Sequence, residues 1–297
     1  MDTDSQHPDH QRVWRDYIAT VDARGEALVR KLTDELGITF AAARVLDIGC
    51  GHGGFVRAAA QAGAEVVGIE IDPANHAVAR ARCAAFGNAT IRQDDIMQPT
   101  TWKGLGRFDL VVSDNVIEHV FSAAQMIGAC GQLLPPGGRA WITAPNAFSI
   151  GQVTRDCHYQ LPAMSLADPV SGGAYLLEAL GMPEFGVSWY ERYAQYEALF
   201  QRYGFDVQQL LPFIGSPEEI EAASASLAAL KSELPAIEAR LANHPVVWNN
   251  LGRWLSEVEF DLALHAASED TSERVRLAQA IMREHVHELW YFWIARR

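Results

Sequence analysis

Residues 45–54, VLDIGCGHGG, hold the densest chemistry in the chain. Gly49, Gly51 and Gly54 follow the spacing G-x-G-x-x-G, which turns a strand sharply into a helix and lets a ligand approach backbone N–H groups closely. Glu70 ends the next apolar run about twenty residues on, where a carboxylate suits both hydroxyls of a ribose. Taken alone, this pattern serves a nicotinamide dinucleotide as well as any other nucleoside. Asp47 separates the readings. Two residues before the first glycine, its carboxylate would repel a pyrophosphate but favour a ligand carrying an amino group and a sulfonium. S-adenosylmethionine is such a ligand. The bland alternative is an Asp that merely accepts from backbone N–H groups of the turn.

These residues need a scaffold, and residues 44–145 supply its signature, short apolar runs alternating with helical stretches as in βαβ units. Strands are expected over 44–48, 65–70, 89–93, 108–113 and 138–144, apolar enough for burial on both faces. Alanine-rich 54–62 and 74–85 read as helices stopped by Gly63 and Gly87. A helix over 189–203, a sixth strand over 205–213 and a seventh over 289–295 complete the set. The expected fold is α/β and Rossmann-like, a doubly wound, mostly parallel seven-stranded sheet. Its core would comprise 41–145, 189–214 and 288–297.

Two inserts interrupt that core. Residues 146–188 are too long for a plain connection and are expected to form a lid or substrate insert after strand 5. Residues 215–287 read as helical, between strands 6 and 7. Ser216, Pro217 and Glu219 supply an N-cap, a first-turn proline and a capping box, followed by a stripe of Ile220, Leu227, Leu230, Leu234 and Leu241. A second helix follows His244-Pro245 with Val247, Leu251, Trp254, Leu255, Val258 and Leu262 on one face, and Asp270 with Glu273 opens a third. This insert is expected to be a cap or a dimerisation element, the latter implying a homodimer. Residues 1–40 read as an N-terminal helical segment with Trp14, Tyr17 and Ile18 on one stripe.

Composition bounds the function. The 297 residues are 49% hydrophobic and 21% charged, which excludes a wholly disordered chain, a collagen or a disulfide scaffold. Lys and Arg number 24 against 37 Asp and Glu, a net charge of −13. Nucleic acid and anionic membranes are therefore poor partners; the long lid insert and the helical cap suggest an enclosed site and a small-molecule substrate, with a protein acceptor left open. No run reaches the roughly 18 apolar residues of a spanning helix and the first twenty residues lack a signal-peptide core, so a cytoplasmic location is expected. Cys50, Cys83, Cys130 and Cys157 form no C-x-x-C pair and read as reduced thiols. His285-x-His287 resembles a metal pair only superficially, with no nearby Cys or carboxylate cluster to complete a site, so no metal is expected.

Four blocks carry a family resemblance: VLDIGCGHGG, VVGIEIDP (66–73), FDLVVSDNVIEHV (108–120) and LLPPGGRAWITAPN (133–146). On these the chain resembles the class I S-adenosylmethionine-dependent methyltransferases, in the branch that includes ubiquinone-pathway O-methyltransferases. The resemblance implies S-adenosyl-L-methionine as cofactor, with Gly49 and Gly51 against its methionine moiety and Asp47 near its amino group. It gives Glu70 to the ribose hydroxyls and Ile71 to the adenine face. Asp95, with Ile91 four positions earlier, is expected to accept from the adenine amino group with Ile96 against the ring; Asp94 is its rival. Asp114 would lie near the methionine portion, and Asn115 would face the methyl and sulfonium.

Methyl transfer is an in-line displacement in which the protein supplies proximity and alignment, and a hydroxyl or ammonium acceptor must also lose a proton. His119 in IEHV resembles the Glu-His pair after strand 4 in this branch, and equally fits a helix histidine packed under the site. Glu118 would orient His119 or cap the following helix. His158, in RDCHYQLP (155–162), is the rival base. Arg155 is a candidate partner for a substrate carboxylate, and Tyr159 and Arg192 are candidate substrate contacts; a loop held by its own hydrogen bonds is the alternative. Tyr190, Tyr193 and Tyr196 fit packing. The competing functions are an NAD-dependent oxidoreductase and a non-catalytic S-adenosylmethionine-binding regulatory or scaffold protein.

Overall fold

A computed structural model describes residues 8–182, 184–209 and 213–297, and excludes the side chains of residues 8–10, 13, 14 and 209. Trp14 of the expected N-terminal stripe thus lies outside the described side chains. In chain order the elements are α1 (Pro8–Ala19), α2 (Val21–Asp34), β1 (Arg44–Ile48), α3 (Gly54–Gln61), β2 (Glu65–Glu70), α4 (Pro73–Cys83), β3 (Ala89–Gln93), α5 (Pro99–Lys103), β4 (Leu110–Ser113), α6 (Ala123–Leu133) and β5 (Arg139–Pro145). There follow α7 (Ile150–Thr154), α8 (Pro169–Leu180), α9 (Tyr193–Arg202), β6 (Phe205–Gln209), α10 (Pro217–Arg240), α11 (Pro245–Ala267), α12 (Thr271–Ile281), a π-helical turn Met282–Val286, and β7 (Leu289–Arg296).

The strands form a seven-stranded sheet in the order β3-β2-β1-β4-β5-β7-β6. Pairing is parallel from β3 through β5, and β6 runs antiparallel to β7. The apolar runs behave as sheet interior should, with Val45, Leu46, Ile48, Val66, Ile69, Val111 and Val112 all buried. Among the described residues no helix is long and apolar enough to cross a membrane.

Several element ends differ from the sequence reading, each for a local reason. The fourth strand starts at Leu110, because the Phe108 N–H donates to Leu133 O in the helix behind it. The fifth runs one residue later than expected, 139–145. Helix α9 begins at Tyr193 and not at 189, because Gln195 Oε1 accepts the Arg192 N–H at 2.7 Å and fixes the helix start there. β6 is described to Gln209; residues 210–212 lie outside the described residues and Phe213 is not in a strand.

The chain divides into two compact units. One comprises Arg12–Ala144, Tyr196–Leu210 and Tyr291–Arg297. Its core gathers Leu32, Phe40, Val45, Phe55, Val56, Leu110, Val112, Trp141 and Trp293. Helix α2 docks on α3 where two glycines meet: a Cβ on Gly25 would lie 2.4 Å from the Gly54 carbonyl carbon, and one on Gly54 would lie 2.2 Å from Val21 O. Asp22 fastens the same corner by accepting from Arg57 at 2.8 Å and Arg82 at 2.5 Å.

The second unit consists chiefly of Pro145–Gln195 and Leu211–Trp290. The capping box at Ser216 and Glu219 opens α10, and Asp270 caps α12 through the Glu273 N–H. The stripe residues Leu227, Leu230, Leu241, Val247, Leu251, Trp254 and Val258 are buried with Ile150, Val153, Leu161, Tyr175 and Leu176 in one core. Trp254 Nε1 donates to Phe148 O at 2.8 Å. The apolar face that suggested a dimer is thus largely covered by the chain's own residues 146–188. Asn146, fully buried, turns its amide to the carbonyls of Arg283, Glu284 and His287 (3.1, 3.1 and 2.7 Å) and so closes the π-helical turn, whose end would otherwise leave acceptors bare.

Candidate functional site

The glycine-rich turn stands between β1 and α3. Gly49, Gly51 and Gly53 all have positive φ (71°, 52° and 79°), a conformation other residues rarely adopt. A Cβ on Gly51 would meet nothing within 4 Å, so the turn faces open space there. Four of its N–H groups, however, are occupied within the protein. Gly49 and Cys50 donate to Ile69 O, Gly53 to Cys50 O, and Gly51 to Glu70 Oε2 at 2.8 Å. A phosphate cradle needs those donors facing outward, and here four of them face inward.

Glu70, buried at the end of β2, also accepts the Asp72 N–H at 2.8 Å on Oε1. Each carboxylate oxygen keeps further acceptor capacity. Beside it Ile71 is an exposed apolar side chain. Asp47 is buried, and among the described residues no side-chain or backbone donor reaches its carboxyl. Its pKa is pushed well above the ordinary carboxylate value by burial first, then by Asp114 and Glu70. Among the described residues no cation pairs with these three acidic groups, which makes a place that favours positive charge.

At the end of β3 the two rival acids differ. Asp94 Oδ2 is held by Arg92 at 2.6 Å, whereas Asp95 Oδ1 takes the Met97 N–H at 2.8 Å and Ile96 is buried. Past β4, Asp114 is exposed, accepts from Thr143 Oγ1 at 2.6 Å, and is followed by Asn115 at φ 55°. Glu118 and His119 sit in a turn, with the His119 N–H on Val116 O. The expected helix histidine is therefore a turn histidine, and Ser122, not Glu118, caps α6. Glu118 is fully buried with its pKa pushed up to about 8, mainly by burial. Its Oε1 lies 3.6 Å from His119 Nε2. Burial pushes the phenol pKa of Tyr17 in α1 up, against the opposing charge of Arg24, which lies 3.7 Å over its ring, and with smaller contributions from Asp114 and Glu118.

The candidate acceptor residues belong to the other unit. Asp156, buried, accepts the N–H groups of His158, Tyr159 and Leu161 at 2.9–3.2 Å and holds the 155–162 loop in shape. Burial raises its pKa to about 6. His158 Nδ1 lies 3.1 Å from Tyr190 Oη and 3.3 Å from Cys157 Sγ. Tyr159 is buried, and its hydroxyl accepts the Gly186 N–H at 2.7 Å. Arg155 is exposed with no ion pair among the described residues. Arg192 pairs with Glu257 at 2.7 Å and lies over the Phe148 ring at 4.2 Å. His285 Nε2 meets Asp261 Oδ2 at 2.8 Å, while the His287 ring packs edge-on to Phe213.

Sequence reasoning missed Thr143 and the part Asp156 plays. Thr143 is a hydroxyl in the middle of the apolar run AWITA, and that single polar interruption was the available signal. Asp156 gave none, because an acid in a polar loop looks like a solvated one.

Among known proteins, a family model described as a methyltransferase domain matches residues 20–210. The chain is 33% identical over 108 residues to ubiquinone biosynthesis O-methyltransferase of Nitrosococcus oceani, covering 36% of this chain and 46% of that protein. It is 38% identical over 103 residues to the protein of the same name in Pseudomonas aeruginosa, covering 35% and 44%. The chain thus matches under half the length of these curated relatives. Phosphoethanolamine N-methyltransferase 2 of Haemonchus contortus, crystallised with S-adenosyl-L-methionine, aligns over 92% of this chain and 52% of its own, at 17% identity and a TM-score of 0.46. With a methyltransferase domain matched across more than half of its length, the chain belongs to the class I S-adenosylmethionine-dependent methyltransferase family.

Proposed function

We propose that this chain transfers the methyl group of S-adenosylmethionine to a small-molecule acceptor. The observation that carries the reading is the acidic group Asp47, Glu70 and Asp114 beside a glycine turn four of whose N–H groups are occupied. It suits a cationic nucleoside and repels a pyrophosphate, which disfavours the NAD-dependent alternative. When bound, the cofactor supplies a methyl carbon activated by sulfonium for in-line displacement. Asp47 would hold the ammonium, Glu70 the ribose hydroxyls, and Ile71 and Ile96 the adenine faces. Asp95 suits the adenine amino group better than Asp94, which is already paired with Arg92. Asp114 and Asn115 would border the methionine and methyl groups, with Gly49 and Gly51 opposite.

His119 takes the acceptor's proton in this reading, with the buried Glu118 carboxyl 3.6 Å from its Nε2. His158 is the rival base. Arg155, Tyr159 and Arg192 would contact the acceptor, with 146–188 as lid in a doubly wound core and 215–287 as cap. The covered apolar stripe favours a cap over a homodimer contact. The acidic net charge supports a small-molecule acceptor over nucleic acid or an anionic membrane.

The test uses methyl-labelled S-adenosylmethionine with a fractionated metabolite extract and mass spectrometry of labelled products, beside calorimetry with the cofactor and with NAD. NAD binding without S-adenosylmethionine binding would sink the reading. Tight cofactor binding without any labelled product would favour the non-catalytic alternative. His119→Ala should slow transfer at least about tenfold at nearly unchanged cofactor affinity, and His158→Ala should mainly raise KM; the opposite pattern would move the base to His158.

A further inference from the structure

We propose that Thr143 is a positioning residue that fixes the loop after β4, and through it the affinity for the sulfonium cofactor relative to that for its uncharged thioether product. The proposal rests on the functional reading above. Thr143 follows directly on the Ser113–Ile142 pairing of β4 with β5, at the point along β5 where β4 gives way to its loop. It is completely buried. Its Oγ1 donates to Asp114 Oδ1 at 2.6 Å and accepts the Asn115 N–H at 2.8 Å. One hydroxyl therefore holds two consecutive residues, and the second of them stands at φ 55°, a left-handed conformation that asparagine tolerates better than other non-glycine residues and that the hydroxyl's bond to its N–H fixes here.

The third residue of the loop is fixed from the other side. A Cβ on Gly49 would lie 2.5 Å from Val116 Cγ2, so the side chain of Val116 is seated against the glycine turn itself. Asp114, Asn115 and Val116 are thus clamped between β5 and the turn after β1. The charge of Asp114 acts on buried Asp47 from this position. Without the Thr143 hydroxyl, Asp114 loses its donor, the Asn115 N–H loses its acceptor, and the left-handed residue is released toward ordinary φ. Asp114 then leaves the acidic group. A cationic ligand loses more by that than S-adenosylhomocysteine, which lacks the sulfonium charge.

Thr143→Val keeps the shape and removes the hydroxyl; Thr143→Ser restores it. Calorimetric titration of full-length protein with S-adenosylmethionine and with S-adenosylhomocysteine should show Thr143→Val weakened about tenfold or more for the first and under about threefold for the second. Thr143→Ser should stay within about threefold of wild type for both. Amide spectra of asparagine-labelled protein should show the Asn115 resonance displaced in Thr143→Val and kept in Thr143→Ser. Should Thr143→Val fail to fold, Thr143→Cys, with its weak donor, is read on the same scale. Equal loss for both ligands, no loss for either, or no rescue by Ser would overturn the positioning role. Failure of the wild-type protein to bind S-adenosylmethionine would instead overturn the functional reading, and the Asn115 resonance would still report on the clamp.

Discussion

Replacing Glu118 by Gln should stabilise the free protein, and by an amount that grows with pH. The carboxyl is fully buried and its pKa moves from 4.5 to about 8, because burial disfavours the charged form and Asp114 adds repulsion. Since the folded value lies above the unfolded one, the folded state binds the proton more tightly between the two. Stability is then lost as pH rises from about 5 through about 8. At about 1.4 kcal/mol per pKa unit, the loss is on the order of 3 kcal/mol by pH 7 and about 5 kcal/mol by pH 9. A glutamine of the same shape stays neutral, so whatever it gains or loses in packing is a constant offset. Urea unfolding at pH 5, 7 and 9 measures the difference against a total of about 5–15 kcal/mol for an ordinary domain. An imidazolium at His119, 3.6 Å away, would lessen the slope near neutrality, and His119→Ala should restore it. A wild-type to Glu118→Gln difference that is flat with pH, or that shrinks as pH rises, would refute the reasoning.

Three further outcomes follow from geometry. Glu70→Ala should weaken S-adenosylmethionine binding by about 1.5–3 kcal/mol, because it removes a ribose acceptor and also frees the Gly51 and Asp72 N–H groups; unchanged affinity by calorimetry would place the ribose elsewhere. Gly54→Ala should destabilise by about 1–3 kcal/mol in urea unfolding, since its Cβ would lie 2.2 Å from backbone oxygen and α2 must move. A variant as stable as wild type would show that α2 yields without cost. Asn146→Ala should cost about 1–3 kcal/mol and speed hydrogen exchange across 282–288, where its amide closes the π-helical turn; unaltered exchange would count against that closure.

The strands were legible because each apolar run is long enough to cross the sheet and ends in a turn residue, and β1, β2 and β3 fall where the sequence puts them. The caps at Ser216 and Asp270 were legible because capping is local, within four residues. What failed depended on partners far along the chain or on one side chain's reach. The start of α9 turns on Gln195 reaching back to Arg192, which periodicity does not register. For the stripe on α10 and α11 the sequence left a cap or a dimer contact open, because its covering residues, 150–187, lie far earlier in the chain. At the site, residue types and spacing exposed the acids at strand ends. They did not reveal that the turn donors point inward or that Thr143 ties two strand ends together.

The inward hydrogen bonds of the glycine turn also bear on how quickly a ligand can settle there. Because Gly49, Cys50, Gly51 and Gly53 are bonded to the protein's own acceptors, the turn has its shape before any encounter. An incoming molecule need not wait for it to fold or lose entropy in ordering it. Diffusion, with its approach drawn on by the acidic field when the molecule is cationic, then governs arrival, and a slow phase in rapid-mixing kinetics has to originate somewhere other than this turn.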